Sequence, residues 1–531
     1  MSLDRVSSQM AKAFGAFVLA IGTLSAFADS AQASSDRSCT ELTNLASAEL
    51  KLTDAHVVKA DAKPSSSALP AYCLVRGTIN PRTGADGKPY GIGFEMRMPT
   101  EIWNGDLLFE GGGGLDGLIH PAVGQVASDG KSALARGFAV IASDGGHEGG
   151  DGSFAADQQS RLDFAYAEIG TVGALGKSLI ERFYGSSAKY SYFMGCSNGG
   201  REAMMAAQRF PLMFDGIVAG DPGFNLTHAA IAELWRLREF LKIAPKTKDG
   251  QPILSEALTD DDLKVVSDGV LAACDDLDGL HDGIINNLGA CHFSLKTVTC
   301  KPKQTAKCLT PTKAHALEVA LQSPIGNGRP LYSSFPYDSG ISDFGWRLWT
   351  LGMSPTATPN AMDTTLGLMA SRQYFVSPAD PSLSPLTFDF DRDPERMADT
   401  ASINDASSTV LSSFIAHGGK LIIYHGNSDP IFSANASIDW YQKLSARYPQ
   451  ADASVRLFLV PGMAHCGGGP ATDQFDAIDA IQRWREDQHA PDQIPAHGNA
   501  FPNAVRPLCP YPKYARYLSG DPSKITSFAC Q

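Results

Sequence analysis

The stretch "YFMGCSNGGREAMMAAQRF", residues 192–210, decides the fold. It opens on apolar residues, closes on an Ala- and Met-rich segment, and sets Ser197 in Gly195-Cys196-Ser197-Asn198-Gly199. Gly-x-Ser-x-Gly between a strand and a helix marks a sharp turn that lifts a serine hydroxyl to the carboxyl edge of a sheet. The turn needs small flanking residues. The helix after it directs its amino end at the same point, where negative charge would develop. Glycine-rich strand-to-helix turns also occur without catalysis, so the pentapeptide needs partners elsewhere in the chain.

Working outward, short apolar runs ending in Gly- or Asp-rich turns recur: "DLLFEGGGG" from Asp106, "GFAVIASDGG" from Gly137 and "FDGIVAGDP" from Phe214. Two more come late, "KLIIYHGNSDP" from Lys420 and "VRLFLVPGMAHC" from Val455. Continuous rather than alternating hydrophobicity predicts strands buried on both faces, as in a parallel sheet. Helical patterns such as "FAYAEIGTVGALGKSLIERFY" lie between them, so the fold class is α/β with a mostly parallel central sheet. The rhythm stops after about residue 223 and resumes near 408. Residues 34–223 and 408–531 are therefore expected to form the catalytic domain, and 224–407 an inserted lid domain.

A serine hydroxyl is a poor nucleophile until an imidazole takes its proton and a carboxylate holds that imidazole in the right tautomer. In this fold class the order along the chain is Ser, acid, His. "YHGNSDP" offers Asp429 and "VPGMAHCGG" offers His465, each at a predicted strand end. His425 precedes the acid in the same strand and loop and is read as lining the pocket or bonding locally. Cys196 precedes Ser197 and Cys466 follows His465. A bridge between them would tie the nucleophile's turn to the loop bearing the base. For the oxyanion, one donor is the backbone N–H of Asn198, and the other is sought in "EGGGGLDG", at Gly112 or Gly113.

The 531-residue chain carries a net charge of −13 without a basic stripe, which argues against nucleic acid or anionic membranes as partners. An apolar stretch from Ala13 to Ala28, followed by "AQA" ending at Ala33, reads as a cleavable signal peptide over residues 1–33 and a secreted or periplasmic product. Ten cysteines in an exported chain imply disulfides. No CxxC pair has a matching downstream pair, so zinc is disfavoured, and spacing alone leaves the wider pairing open.

"GCSNGGREA" with a remote "SDP" and "GMAHC" resembles the tannase and feruloyl esterase family of α/β-hydrolases, marked by adjacent Cys-Ser and His-Cys pairs. The resemblance covers nearly the whole mature chain, the insertion included. It implies the Cys196–Cys466 bridge and four more: Cys39–Cys73, Cys274–Cys291, Cys300–Cys308 and Cys509–Cys530. It also bears on "ACDDLDGLHDGIINN" from Ala273, which by itself reads either as a solvated acidic turn or as an oxygen-rich cation site. The family pattern implies structural Ca2+ held by Asp275, Asp278 and Asp282 with the carbonyls of Leu280 and Ile284.

Ser-His-Asp chemistry implies ester hydrolysis through an acyl-enzyme. The resemblance implies an aromatic acyl group of the feruloyl (hydroxycinnamoyl) type, with galloyl esters and mono(2-hydroxyethyl) terephthalate as alternatives. Trp346, Trp349, Tyr374 and Phe375 are candidate aromatic walls, and Arg372 a candidate for a substrate carboxylate. A serine peptidase and a catalytically silent, calcium-stabilised binding protein are the competing classes.

Overall fold

The computed structural model describes residues 37–531 apart from 64, 66 and 126–129; the expected signal segment, 1–33, lies outside them. Nine strands form the central sheet: β1 (Leu50–Val58), β2 (Tyr72–Thr83), β3 (Pro89–Pro99), β4 (Asp106–Glu110), β5 (Ala139–Ser143), β6 (Tyr190–Cys196), β7 (Gly216–Gly220), β8 (Lys420–Gly426) and β9 (Val455–Val460). Their order across the sheet is β1-β2-β3-β5-β4-β6-β7-β8-β9. From β5 to β9 every neighbour is parallel. These six strands are the apolar runs picked out in the sequence. β1, β2 and β3 add an antiparallel meander at one edge that the sequence reading did not separate, because only the parallel strands, buried on both faces, read as unbroken apolar runs.

β6 lies in the interior of the sheet, with Phe193 in register with Phe109 of β4 and Ile217 of β7. The rings of Phe109, Phe193 and Phe214 pack together, Phe109 and Phe193 with centroids 4.8 Å apart. Helices cover the sheet, among them α1 (Glu168–Tyr184), α2 (Asn198–Arg209), α3 (Leu226–Ile243), α4 (Ala434–Arg447) and α5 (Ala477–Glu486). Among the described helices none is long and apolar enough to cross a membrane.

Residues 224–407 add no strand to this sheet. Their two ends meet, the Ala406 N–H donating to the Phe224 carbonyl at 2.7 Å. The segment shares the main core: Leu237, Phe240, Leu317 and Trp346 belong to the same buried cluster as Phe109, Phe193 and Ile423. It also props the loops after β8 and β9. Asp338 Oδ2 accepts from Ser428 Oγ (2.8 Å) and from the Gly462 N–H (2.7 Å), and the Gly340 N–H donates to Ser428 Oγ (3.0 Å).

Asp338→Ala would leave the Gly462 N–H and Ser428 hydroxyl buried without their acceptor. The expected loss is about 1–3 kcal/mol of stability, read as a lower urea midpoint with an unchanged slope.

Candidate active site

Ser197 follows β6 directly, with φ 66° and ψ −122°, a left-handed conformation for a residue that has a Cβ. Such strain costs about 1–3 kcal/mol and persists only where the surroundings impose it. Here they do. The Ser197 N–H donates to the Gly220 carbonyl (3.0 Å), and its own carbonyl accepts from Gly223 (3.2 Å) and Arg201 (3.0 Å). The flanking glycines are obligatory, since a Cβ at Gly195 would come within 2.5 Å of the Gly199 backbone and one at Gly199 within 2.6 Å of the Gly112 carbonyl.

His465 and Asp429 come together across the ends of β9 and β8, with Nδ1 2.7 Å from Asp429 Oδ2. Asp429 Oδ1 accepts from the N–H groups of Ile431 (2.7 Å) and Phe432 (3.1 Å), so both carboxylate oxygens are committed. Burial alone would raise the Asp429 carboxyl, but the His465 charge and hydrogen bond outweigh it and hold the group below the usual carboxylate value. His465 Nε2 is buried and has no hydrogen-bond partner among the described residues, so the bond from Ser197 is not formed in this state. The ring sits between Trp349 and Phe432, at centroid distances of 5.6 and 5.5 Å. His425 is a local strut: Nδ1 meets Ser437 Oγ (2.8 Å), Nε2 meets the Phe432 carbonyl (2.9 Å), and burial pushes its pKa down.

Cys196 and Cys466 are bonded, with Cα atoms 6.0 Å apart and a sequence separation of 270. The other bridges join Cys39–Cys73, Cys274–Cys291, Cys300–Cys308 and Cys509–Cys530, the pairs the resemblance implies. Beside the Cys196–Cys466 bridge lies a residue the sequence reading passed over. Asp221, fully buried after β7, accepts from the Gly426 N–H (2.7 Å) through Oδ1 and the Cys466 N–H (3.1 Å) through Oδ2. It links the ends of three strands, and burial together with the Asp429 charge drives its carboxyl well above the usual range. Its signal was the "GDP" ending a parallel strand, the same position in the pattern as Ser197, Asp429 and His465.

Under the nucleophile is a second acidic cluster. The Asn198 side-chain amide donates to Asp116 Oδ1 (2.7 Å) and Glu202 Oε1 (2.8 Å), while Arg201 Nε donates to Asn198 Oδ1 (2.6 Å). Burial raises the carboxyls of Asp116, Glu168 and Glu202, with charge from Glu202 adding to the first two. Glu202 Oε2 also accepts the Gly112 N–H (3.1 Å). That corrects one expectation: Gly112 spends its donor on Glu202 and is not free for an oxyanion. Among the described residues Gly113 and Asn198 have backbone N–H groups without protein partners.

Ser197 opens into a cavity between the sheet edge and the insertion. Gly114, Leu115 and Asn198 form one wall, Leu226, Ala230 and Glu233 of α3 another, and Trp349, Ile431 and Phe432 a third. The fourth comes from Leu366, Gly367, Ala370 and Phe375, in a segment with two π-helical turns, Asp363–Gly367 and Ser371–Phe375. Of the aromatic candidates, Trp349 and Phe375 line the cavity. Trp346 does not, being packed in the main core, and Tyr374 is buried among Phe154 and Phe164. Arg372 does not line it either: its Nε donates to the Leu383 carbonyl at 2.8 Å. The cavity face of this segment steps by four and then five residues, because a π turn widens the helix, and that step carries Arg372 off the lining.

Far from this cavity in sequence, the loop after residue 274 gathers its acids. Asp275 and Asp278 are 2% and 1% exposed, and burial raises both carboxyls, that of Asp278 to about 6. Asp275 accepts from Gly283, Asp278 from Leu280 and Asn286, and Asp282 from Ile284, with Arg506 paired to the other Asp282 oxygen. Two desolvated carboxylates with no lysine or arginine of their own, though His281 Nδ1 lies 3.2 Å from Asp275 Oδ2, suit a hard cation bound by oxygen.

The fold and site define a carboxylic ester hydrolase of the α/β-hydrolase class. A sequence profile for "Tannase and feruloyl esterase" matches residues 73–531, and the chain belongs to that family. It is 40% identical over 525 residues to the mono(2-hydroxyethyl) terephthalate hydrolase of Piscinibacter sakaiensis, covering 89% of this chain and 86% of that one. A probable feruloyl esterase B-2 of Neosartorya fischeri is 29% identical, covering 82% and 84%. The crystal structure of feruloyl esterase B from Aspergillus oryzae superposes with a TM-score of 0.78 at 24% identity, over 94% of this chain and 100% of that one.

Asp221→Ala should leave the buried Gly426 N–H unsatisfied, free the Cys466 N–H and let the Cys466 turn drift. We expect a fall in kcat of at least tenfold with little change in KM. Replacing Cys196 and Cys466 together by serine should lower stability by about 2–4 kcal/mol and kcat with it, measured by denaturation and ester turnover.

Proposed function

We propose that Ser197, His465 and Asp429 act as a catalytic triad hydrolysing esters of aromatic carboxylic acids, hydroxycinnamoyl (feruloyl-type) esters foremost. The observation that carries this reading is His465: Nδ1 is held by Asp429 while Nε2 is buried and unpartnered. That nitrogen takes the Ser197 proton as Oγ attacks the ester carbonyl, and returns it to the departing alcohol. A water activated by the same nitrogen then releases the acid. The oxyanion is held by the backbone N–H groups of Asn198 and Gly113, at the amino end of α2.

Trp349, Phe375 and Phe432 support an aromatic acyl group, which flat apolar walls bind well. The terephthalate-monoester hydrolase among the relatives favours a second reading, a substrate with a free carboxylate. The lining weighs against it, since the ionisable side chain it contains is the acid Glu233, and Arg372 is elsewhere. Galloyl esters remain within the family's range. We read the protein as exported, in keeping with its five disulfides. We also assign Ca2+ to the loop of Asp275, Asp278 and Asp282 with the Leu280 and Ile284 carbonyls, where it would supply charge neutralisation to buried carboxylates.

Ser197→Ala should abolish turnover of methyl ferulate, methyl gallate and mono(2-hydroxyethyl) terephthalate while keeping the melting temperature. The kcat/KM order should place the ferulate first. Retained turnover in Ser197→Ala would remove the triad. For the loop, chelation should lower the melting temperature and added Ca2+ restore it, since a ligand at a hundred times its Kd stabilises by about 2.7 kcal/mol. An unchanged melting curve would rule the cation out.

A further inference from the structure

The cavity contains one group that the triad chemistry does not use. Glu233 is 6% exposed, lines the cavity, and receives no hydrogen bond from any described residue. A carboxyl that faces a mostly apolar cavity without a protein partner marks a place where a ligand can complete the hydrogen bonding. The cationic neighbour on its own helix, Arg236, does not serve it. Its Nε and one terminal nitrogen both donate to Asp363 Oδ2, at 3.0 and 2.7 Å, so the charge is already matched.

The position of Glu233 suits the far end of an acyl group. α3 begins just after Gly223, whose N–H donates to the Ser197 carbonyl. Leu226, Ala230 and Glu233 share its cavity face at the helical spacing of i, i+4 and i+7. Glu233 thus lies about 10 Å along the axis from Leu226, at 1.5 Å per residue. Across from it the backbone makes room: a Cβ at Gly367 would fall 1.9 Å from Glu233 Oε2, so a larger residue there would displace the carboxyl.

We propose that Glu233 is the specificity residue of the acyl pocket, exchanging hydrogen bonds with a phenolic hydroxyl at the far end of the acyl group and turning away an acyl group that carries a carboxylate. This rests on the aromatic-ester reading above and narrows it to hydroxylated acids. Burial, with the charges of Asp363 and Asp429, raises the Glu233 carboxyl well above its usual value against the opposing pull of Arg236. The neutral acid both donates and accepts, which a phenol matches on both counts. An acyl carboxylate would bring a second desolvated acid against the first, with no cation in the lining to receive it.

The test compares methyl p-coumarate with methyl cinnamate, which differ by that hydroxyl alone, and adds mono(2-hydroxyethyl) terephthalate as the anionic probe. Wild type should prefer the coumarate by at least tenfold in kcat/KM. Glu233→Leu should erase that preference, lowering the coumarate-to-cinnamate ratio of kcat/KM at least tenfold. Glu233→Gln, which can still accept and donate, should keep most of it. Both variants should improve the terephthalate monoester relative to cinnamate. Equal wild-type rates on coumarate and cinnamate, or equal losses on both in Glu233→Leu, would overturn the assignment and leave a structural acid. If wild type cleaves aliphatic but no aromatic esters, the aromatic-ester reading falls as well, a result distinct from aromatic turnover without hydroxyl preference.

Discussion

A single sulfur–sulfur bond joins the residue before Ser197 to the residue after His465, across 270 positions of chain. The serine stands in a left-handed backbone conformation that its side chain disfavours. The base stands on a loop with Cys466 itself at φ 60°. Neither turn would hold its shape unaided, and the bond lets each one restrain the other. Asp221 performs the same service without a covalent link, since its two oxygens hold the loop after β8 and the Cys466 turn at once. For the chemistry proposed, such restraint on both loops would lower the entropy lost in bringing Ser197 and His465 together.

Buried acids are the second feature of this centre. Asp429 is held ionised, by the imidazole it orients. Asp221, Asp116 and Glu202 are pushed the other way by burial and serve as hydrogen-bonding struts. The contrast follows from partners. A carboxylate beside a protonatable ring and two backbone donors keeps its charge, whereas acids facing one another in an apolar setting give it up. Asn198 shows the benefit: its side chain is gripped at both ends by Asp116, Glu202 and Arg201, which steadies its backbone N–H.

The residues legible in the sequence were those whose chemistry is written in local pattern. Six parallel strands stood out as unbroken apolar runs, and three of their ends carried the serine, the acid and the imidazole. The antiparallel meander was less legible because its strands mix polar residues and glycines among the apolar ones, and β1 is largely exposed. The substrate wall was least legible. Trp346 and Trp349 are three apart on one short helix, yet the first enters the core and the second the cavity. Arg372 is one residue from a buried serine and three from Phe375, and the π turn between decides which of them the substrate would meet. Gly112 looked as available as Gly113 until Glu202, ninety residues on, took its N–H.

The sequence by itself determined the class of fold, the Gly-x-Ser-x-Gly turn and the strand ends that carry Ser197, Asp429 and His465, because strand burial, turn glycines and adjacent cysteine pairs are properties of short segments. Tertiary structure alone decided which carboxylates are charged, which glycine keeps a free donor and which side chains enter the cavity. Those depend on desolvation and on contacts between segments far apart in the chain, and Glu233 is the clearest case: an ordinary helical glutamate in the sequence, it becomes an acid lining the Ser197 cavity only when the insertion folds back over the sheet.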